Sequence, residues 1–188
     1  VPISTDQVVS TWWDLGMDDV TAIWFTQDVG REIHVIDYYQ NSGEGFEHYA
    51  KVLEEKEYRY APYHNAPHDI AVRELGPGKS RLKTAQKYGL NFKKIARAKN
   101  KLNSIEAART LLNSGKVFFD EERCEVGITG LENYRKEWNA DLGAYRTTPL
   151  HDKHSNPADA FQTLSAGHFF GHALSEGKTE IKVNEPID

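Results

Sequence analysis

An α/β fold, with a mixed central sheet flanked by helices, is what this sequence predicts, on three observations. Three runs rich in β-branched and aromatic residues, Val8–Asp14, Val20–Thr26 and Glu32–Tyr39, follow one another with only short turn-forming connections. Apolar residues at helical spacing then recur through the rest of the chain, separated by shorter strand-like runs. The 188 residues are 39% hydrophobic and 11% aromatic, which suffices for one domain around a real core.

Residues 1–7 read as a tail or linker remnant, 8–172 as the folded domain and 173–188 as a polar C-terminal tail. Leu15 to Asp19 form a turn after the first strand. Gly30-Arg31 reverses the chain tightly, so the second and third strands make an antiparallel hairpin that the first can join as a meander. Phe46–Lys56 has helical spacing, with Phe46, Tyr49, Ala50 and Leu53 on one face. Tyr58–Tyr63 reads as a fourth strand and Leu82–Tyr88 as a short helix stopped by Gly89. Phe92–Arg97 and Val117–Phe119 are further short strands. Ser104–Leu112 and Ile128–Trp138 are helices, the second aligning Leu131, Tyr134, Arg135 and Trp138. Asn156–Phe170 is the last helix, with Pro157 acceptable in its first turn.

Composition removes several classes of function. No stretch approaches the roughly 18 apolar residues of a membrane helix, and no N-terminal segment resembles a secretory signal. Cys124 is the only cysteine, so neither a disulfide framework nor a cysteine-rich zinc site is available. Gly76-Pro77-Gly78-Lys79-Ser80 ends like a phosphate loop, but Arg73 stands where that motif needs glycine. His168 and His172 have the histidine spacing of a zinc protease helix without the intervening Glu.

Charge is unevenly spread. From Leu75 to Ser104 there is no Asp or Glu, while nine Lys and Arg residues fall between Lys79 and Lys101. That window carries +9 in a chain of net charge -5, so the remainder carries -14. A charge run is often only a solvated face; a polyanion contact is the alternative.

Three aspartates sit among apolar neighbours, where a carboxylate is costly unless a cation or hydrogen bonds compensate. Asp14 ends the run Val8–Trp13, Asp69 closes Tyr63–His68, and Asp159 lies within His154–Phe161. Singly, Asp14 and Asp69 read as turn or cap residues. Asp159 is harder to dismiss, because Ala158, Ala160, Phe161 and Leu164 around it continue an apolar stripe. Jointly they suggest oxygen ligands for Mg²⁺ or Mn²⁺, hard cations suited to chemistry on phosphate.

Trp13-Asp14-Leu15-Gly16-Met17-Asp18-Asp19 with Thr21-Ala22-Ile23 resembles the opening motif of the nuclease domain of large terminase subunits, the DNA-packaging motors of tailed bacteriophages. Ile36-Asp37-Tyr38-Tyr39 with His48-Tyr49, then Pro67-His68-Asp69, then Ile105–Arg109 and Leu131–Arg135, and finally His154–Phe161 follow in the family's order over about residues 8 to 170. The resemblance implies an RNase H-like fold and an endonuclease site with two metal ions, cutting concatemeric viral DNA with little sequence specificity. It implies Asp14, Asp69 and Asp159 as metal ligands and catalytic residues. Asp19, Asp18, His154 and Ser155 become auxiliary residues. Lys79, Arg81 and Lys83, nearest Asp69 in the basic window, become the expected contacts to double-stranded DNA. The family's whole subunit also carries an N-terminal ATPase domain and works with a portal and a small terminase subunit in the host cytoplasm. Nothing in this sequence matches Walker motifs, so the chain reads as the nuclease part alone. A Holliday-junction resolvase or transposase is the alternative with the same carboxylates, and a non-catalytic docking domain is the alternative without the chemistry.

Overall fold

The computed structural model describes residues 1–16, 20–71, 80–96, 101–134, 136–139, 144–149 and 155–170. The expected meander forms. Strand β2 (Val20–Val29) runs antiparallel to both β1 (Ser10–Asp14) and β3 (Glu32–Ser42), with Asp14 opposite Ala22 and Ala22 opposite Gln40. Gly30, at φ 63°, makes the reversal between β2 and β3 in a conformation that glycine adopts without a side-chain clash. Helix α1 (Phe46–Glu55) follows, then β4 (His64–Ala66), a 3₁₀ turn at His68–Ala71, α2 (Arg81–Gln86) and β5 (Phe92–Lys94). The chain continues through α3 (Lys101–Leu112), β6 (Val117–Phe119), α4 (Glu125–Asn133), β7 (Lys136–Asn139), β8 (Ala144–Pro149) and α5 (Ser155–Phe170).

Six strands form one mixed sheet in the order β5-β4-β1-β2-β3-β6, with β4 parallel to β1 and β5, and β6 parallel to β3. Strand alternation divides its side chains between two cores. Trp13, Ile23, Phe25 and Ile36 pack with Tyr49 and Leu53 of α1 and Ala85 of α2. Ala22, Trp24, Val35 and Tyr38 pack on the other face with Leu111 of α3 and Phe161 and Leu164 of α5. Complete burial of Trp13, Trp24, Phe25 and Phe161 makes these aromatics the main apolar contribution.

Among the described residues, buried side-chain polar atoms have partners except His34 Nδ1. Asp37 is 5% exposed and accepts from the Tyr58 hydroxyl at 2.9 Å, the Tyr38 amide at 2.8 Å and the Lys56 ammonium. Gln27, buried in β2, accepts from the Ser4 amide at 2.8 Å and donates to the carbonyls of Ser4 and Gln7. That side chain fixes the segment preceding β1 along the sheet.

Two expected elements take other forms. The strand at Tyr58–Tyr63 is replaced by β4 at His64–Ala66, with one isolated bridge from Tyr60 to Val9. Tyr58 and Tyr60 instead use their hydroxyls on Asp37 and on the Leu53 carbonyl, anchoring the chain as it leaves α1. The helix expected over Ile128–Trp138 begins at Glu125 and ends at Asn133, because Tyr134 turns to extended backbone at ψ 115°. Residues 136–139 then pair with 144–149 as a separate hairpin.

Candidate active site at the end of the central strand

Asp14 is the last residue of β1, and β4 runs parallel beside it with Asn65 opposite Trp12. The chain end carrying Asp14 and the end of β4 leading to Asp69 therefore lie at the same edge of the sheet. Asp14 shares its sheet face with Trp12, two residues earlier, and Gly167 of α5 lies directly against the Trp12 ring. Asp14 thus points to the α5 side of the sheet.

Helix α5 is fixed there by two hydrogen bonds to the tryptophan-bearing strands. Thr163 Oγ1 donates to the Trp13 carbonyl at 2.9 Å, and Trp24 Nε1 donates to the Pro157 carbonyl at 2.9 Å. Asp159 stands four residues before Thr163, one turn along the same helix face. Since Gly167 lies over Trp12 and Thr163 over Trp13, moving towards the helix N-terminus moves towards Asp14. The two partly buried carboxylates consequently share one end of one sheet face.

Their surroundings carry the charge. Burial pushes the Tyr38 phenol well above its usual range, and the nearby Asp14 carboxylate pushes it further. Burial and then Asp159 raise the Tyr134 phenol to about 12, while a hydrogen bond with Gln162 opposes the shift. Gln162 Nε2 also donates to Asp159 Oδ1 at 3.4 Å. Tyr38 donates to Gln40 Oε1 at 2.7 Å, and Gln40 occupies the rung shared with Ala22 and Asp14. Each carboxylate therefore has a tyrosine–glutamine pair next to it. Sequence reasoning missed these four residues, although their signals existed: Tyr38 and Gln40 alternate on a strand, and Gln162 follows Asp159 by a helical step of three.

The remaining expected residues are distributed unevenly. Ser155 opens α5 and is buried. Asp69 lies on the exposed side of the 3₁₀ turn beyond β4. Asp18, Asp19, His154 and Lys79 lie outside the described residues. Among the described residues no group of three His, Cys, Asp or Glu side chains could hold a metal ion. Asp14, Asp69 and Asp159 are therefore not gathered into one complete ligand cluster by the described residues alone.

Lys83 is exposed on α2, as expected of a surface contact. Arg81 is not: only 8% exposed, it donates from Nη1 to the Leu15 carbonyl at 3.2 Å. Its cation holds the turn immediately after Asp14. Beside it, a cleft of about 540 Å³ is bounded by Leu15, Thr21, His48, Lys51, Arg81 and Tyr88. Leu15 and Tyr49 along this cleft belong to the α1–α2 core, so the cleft opens on the sheet face opposite α5.

A mixed sheet in this strand order, with helices on both faces, defines an α/β protein of RNase H-like fold. Solved structures that share it include large terminase nuclease domains from several phages. The P22 large terminase nuclease domain superposes with a TM-score of 0.65 at 14% identity, covering 90% of this chain and 84% of that one. The large terminase nuclease domain of bacteriophage SPP1, with bound Mn, gives 0.55 at 17% identity over 86% and 85%. The large terminase of the thermophilic bacteriophage D6E, in complex with ADP, gives 0.66 at 13% identity over 90% of this chain. This chain spans 41% of that protein's length. No family model and no curated protein matches the sequence.

Proposed function

We propose that this chain is the nuclease domain of a large terminase subunit, a metal-dependent endodeoxyribonuclease that cuts concatemeric viral DNA during genome packaging. The observation that supports it most is the docking of α5 across the end of β1, which brings Asp159 to the sheet edge and face of Asp14. The shared fold with phage nuclease domains, two of them with bound cobalt or manganese, supports the same reading.

The donor chemistry fits a hard cation. Asp14 and Asp159 offer only carboxylate oxygens, and the one cysteine, Cys124, is buried in the second core. Asp14 and Asp159 would hold Mg²⁺ or Mn²⁺, with Asp69 and the acids Asp18 or Asp19 as further ligands. When bound, two such ions supply Lewis-acid polarisation of a phosphate and lower the pKa of water. The chain's own residues do the positioning. Strand β1 holds Asp14 rigidly, the Thr163 hydrogen bond sets the height of Asp159, and Gln162 orients the Asp159 carboxylate. Ser155, buried at the start of α5, would serve as an auxiliary residue of the site, as would His154. Asp69, exposed beyond β4, stands on the side from which double-stranded DNA approaches. Phosphate contacts carry no base information, so cutting has little sequence preference. In the whole protein an N-terminal ATPase domain would precede this chain, and portal and small terminase subunits would deliver the DNA in the host cytoplasm.

The test is cleavage of plasmid, linear duplex and four-way-junction DNA with Mg²⁺, Mn²⁺ or EDTA. Metal-dependent cutting of plasmid and linear DNA is expected. Asp14→Asn, Asp69→Asn and Asp159→Asn should each abolish it while keeping the wild-type circular dichroism spectrum. Activity retained in one variant removes that residue from the ligand set. A strong preference for junctions replaces the packaging role by a resolvase, and no cutting under any metal leaves a docking domain.

A further inference from the structure

The open edge of the sheet carries cations that the fold does not use. Strand β5 is the last strand on the β4 side, and its residues Phe92, Lys93 and Lys94 pair only with β4. Among the described residues no ion pair involves Lys83, Lys87, Lys93 or Lys94, although Lys51, Lys56, Arg109 and Arg123 all have carboxylate partners. A cation left without a carboxylate in a chain of net negative charge is available to an external anion.

One of these lysines is held in place. The Lys93 ammonium lies 4.5 Å from the centroid of the Tyr63 ring, and Tyr63 is 48% exposed. A tyrosine face attracts an ammonium and restricts its swing, so a flexible surface charge becomes a positioned one. Register fixes which way it faces. Lys93 is opposite Asn65, Asn65 is opposite Trp12, and Trp12 lies on the α5 face with Asp14 two residues further along. Ile95, two residues beyond Lys93, meets Gly167 of α5, which confirms that face. Two strand spacings and two residues separate Lys93 from Asp14, about 12 Å between their backbones. That is about three to four base steps of duplex DNA at 3.4 Å per step.

We propose that Tyr63 and Lys93 form a docking point for the DNA backbone flanking the cut: the Lys93 ammonium takes a phosphate, and the exposed Tyr63 ring holds it there and packs on the adjacent sugar. These are positioning residues. The inference rests on the nuclease reading above, and extends the expected DNA contact from α2 to the β4–β5 edge.

Binding to a fluorescein-labelled linear duplex is measured by anisotropy in EDTA across a salt series, alongside metal-dependent cleavage. Lys93→Gln should flatten the slope of log affinity against log salt by about 0.9, one released counterion. Tyr63→Ala should weaken binding about 2–5-fold and Tyr63→Phe should restore it, since the ring rather than the hydroxyl holds the cation. In cleavage, Lys93→Gln should raise KM and leave kcat unchanged. Lys51→Gln, at an exposed ion pair on α1, is the control. If Lys93→Gln and Tyr63→Ala bind like that control while wild type still cuts DNA, the docking point is overturned and the nuclease reading stands. If wild type neither binds nor cuts, both are overturned.

Discussion

Lowering the pH through the mildly acidic range should destabilise this domain through one buried imidazole. His64 begins β4 and is 8% exposed, enclosed by the rings of Trp13, Tyr60 and Phe92 at centroid distances of 6.1, 5.8 and 5.7 Å. Thr11 Oγ1 accepts from Trp13 Nε1 at 2.8 Å and lies 2.7 Å from His64 Nδ1, to which it can donate its own proton. With Nδ1 accepting that proton, the ring is neutral and carries its own proton on Nε2. Burial accordingly lowers the His64 pKa from 6.5 to about 4. Between those values the unfolded chain binds a proton that the folded chain refuses. The stability from a neutral His64 is therefore complete above about pH 7, falls as pH drops through 6.5, and is lost below about 4. At about 1.4 kcal/mol per pH unit, the whole loss is about 3 kcal/mol.

Urea unfolding at closely spaced pH values measures it, with His64→Phe as the reference. That variant keeps a ring among the aromatics and leaves one Thr11 hydroxyl proton without its acceptor, costing about 1 kcal/mol at neutral pH. The wild type should lose about 3 kcal/mol more than His64→Phe between pH 7 and 4. Parallel pH curves for the two proteins would refute the buried neutral imidazole.

Two further perturbations probe the packing. Gly167→Ala would place a Cβ in the Trp12 ring, which is fixed by its Nε1 hydrogen bond to Thr26 Oγ1 at 2.8 Å. Overpacking costs about 1–3 kcal/mol and helix propensity returns up to about 1, so a net loss of up to about 2 kcal/mol in urea melts is expected. Cys124 is fully buried, its thiol pushed up to about 12 by burial and then by Asp37 and Asp120. It should resist a thiol-specific chromogenic reagent at neutral pH in the native protein and react at once in denaturant.

How far the sequence could be read depends on where each element's stability originates. The meander was legible because alternation and the Gly30 turn are local signals, and β2 and β3 start where expected and run three residues further. Tyr58–Tyr63 misled because two tyrosines look like strand residues, while their hydroxyls are committed to Asp37 and Leu53 across the fold. The stripe Leu131–Trp138 continued past a helix end that lacks glycine or proline, the usual stop signals. Arg81 looked like a surface cation because no sequence rule reveals a backbone carbonyl waiting for it at Leu15. For the candidate site, the motif residues Asp14 and Asp159 were legible. Tyr38, Gln40, Tyr134 and Gln162 around them were not, since they become neighbours only through tertiary packing.

The hydrogen bond from Thr163 to the Trp13 carbonyl joins residues 150 apart in the chain. Closing a loop of that length costs about 4 kcal/mol of chain entropy before any contact across it repays the cost. Synthesis proceeds from the N-terminus, so Asp14 and the meander emerge and can fold long before α5 exists. The two carboxylates come to share one end of a sheet face only after nearly all of the domain has left the ribosome. A nascent or truncated chain that stops before residue 155 thus holds half a site on a formed sheet. Under the proposed nuclease function, chain order itself delays DNA cutting until the last helix has been made.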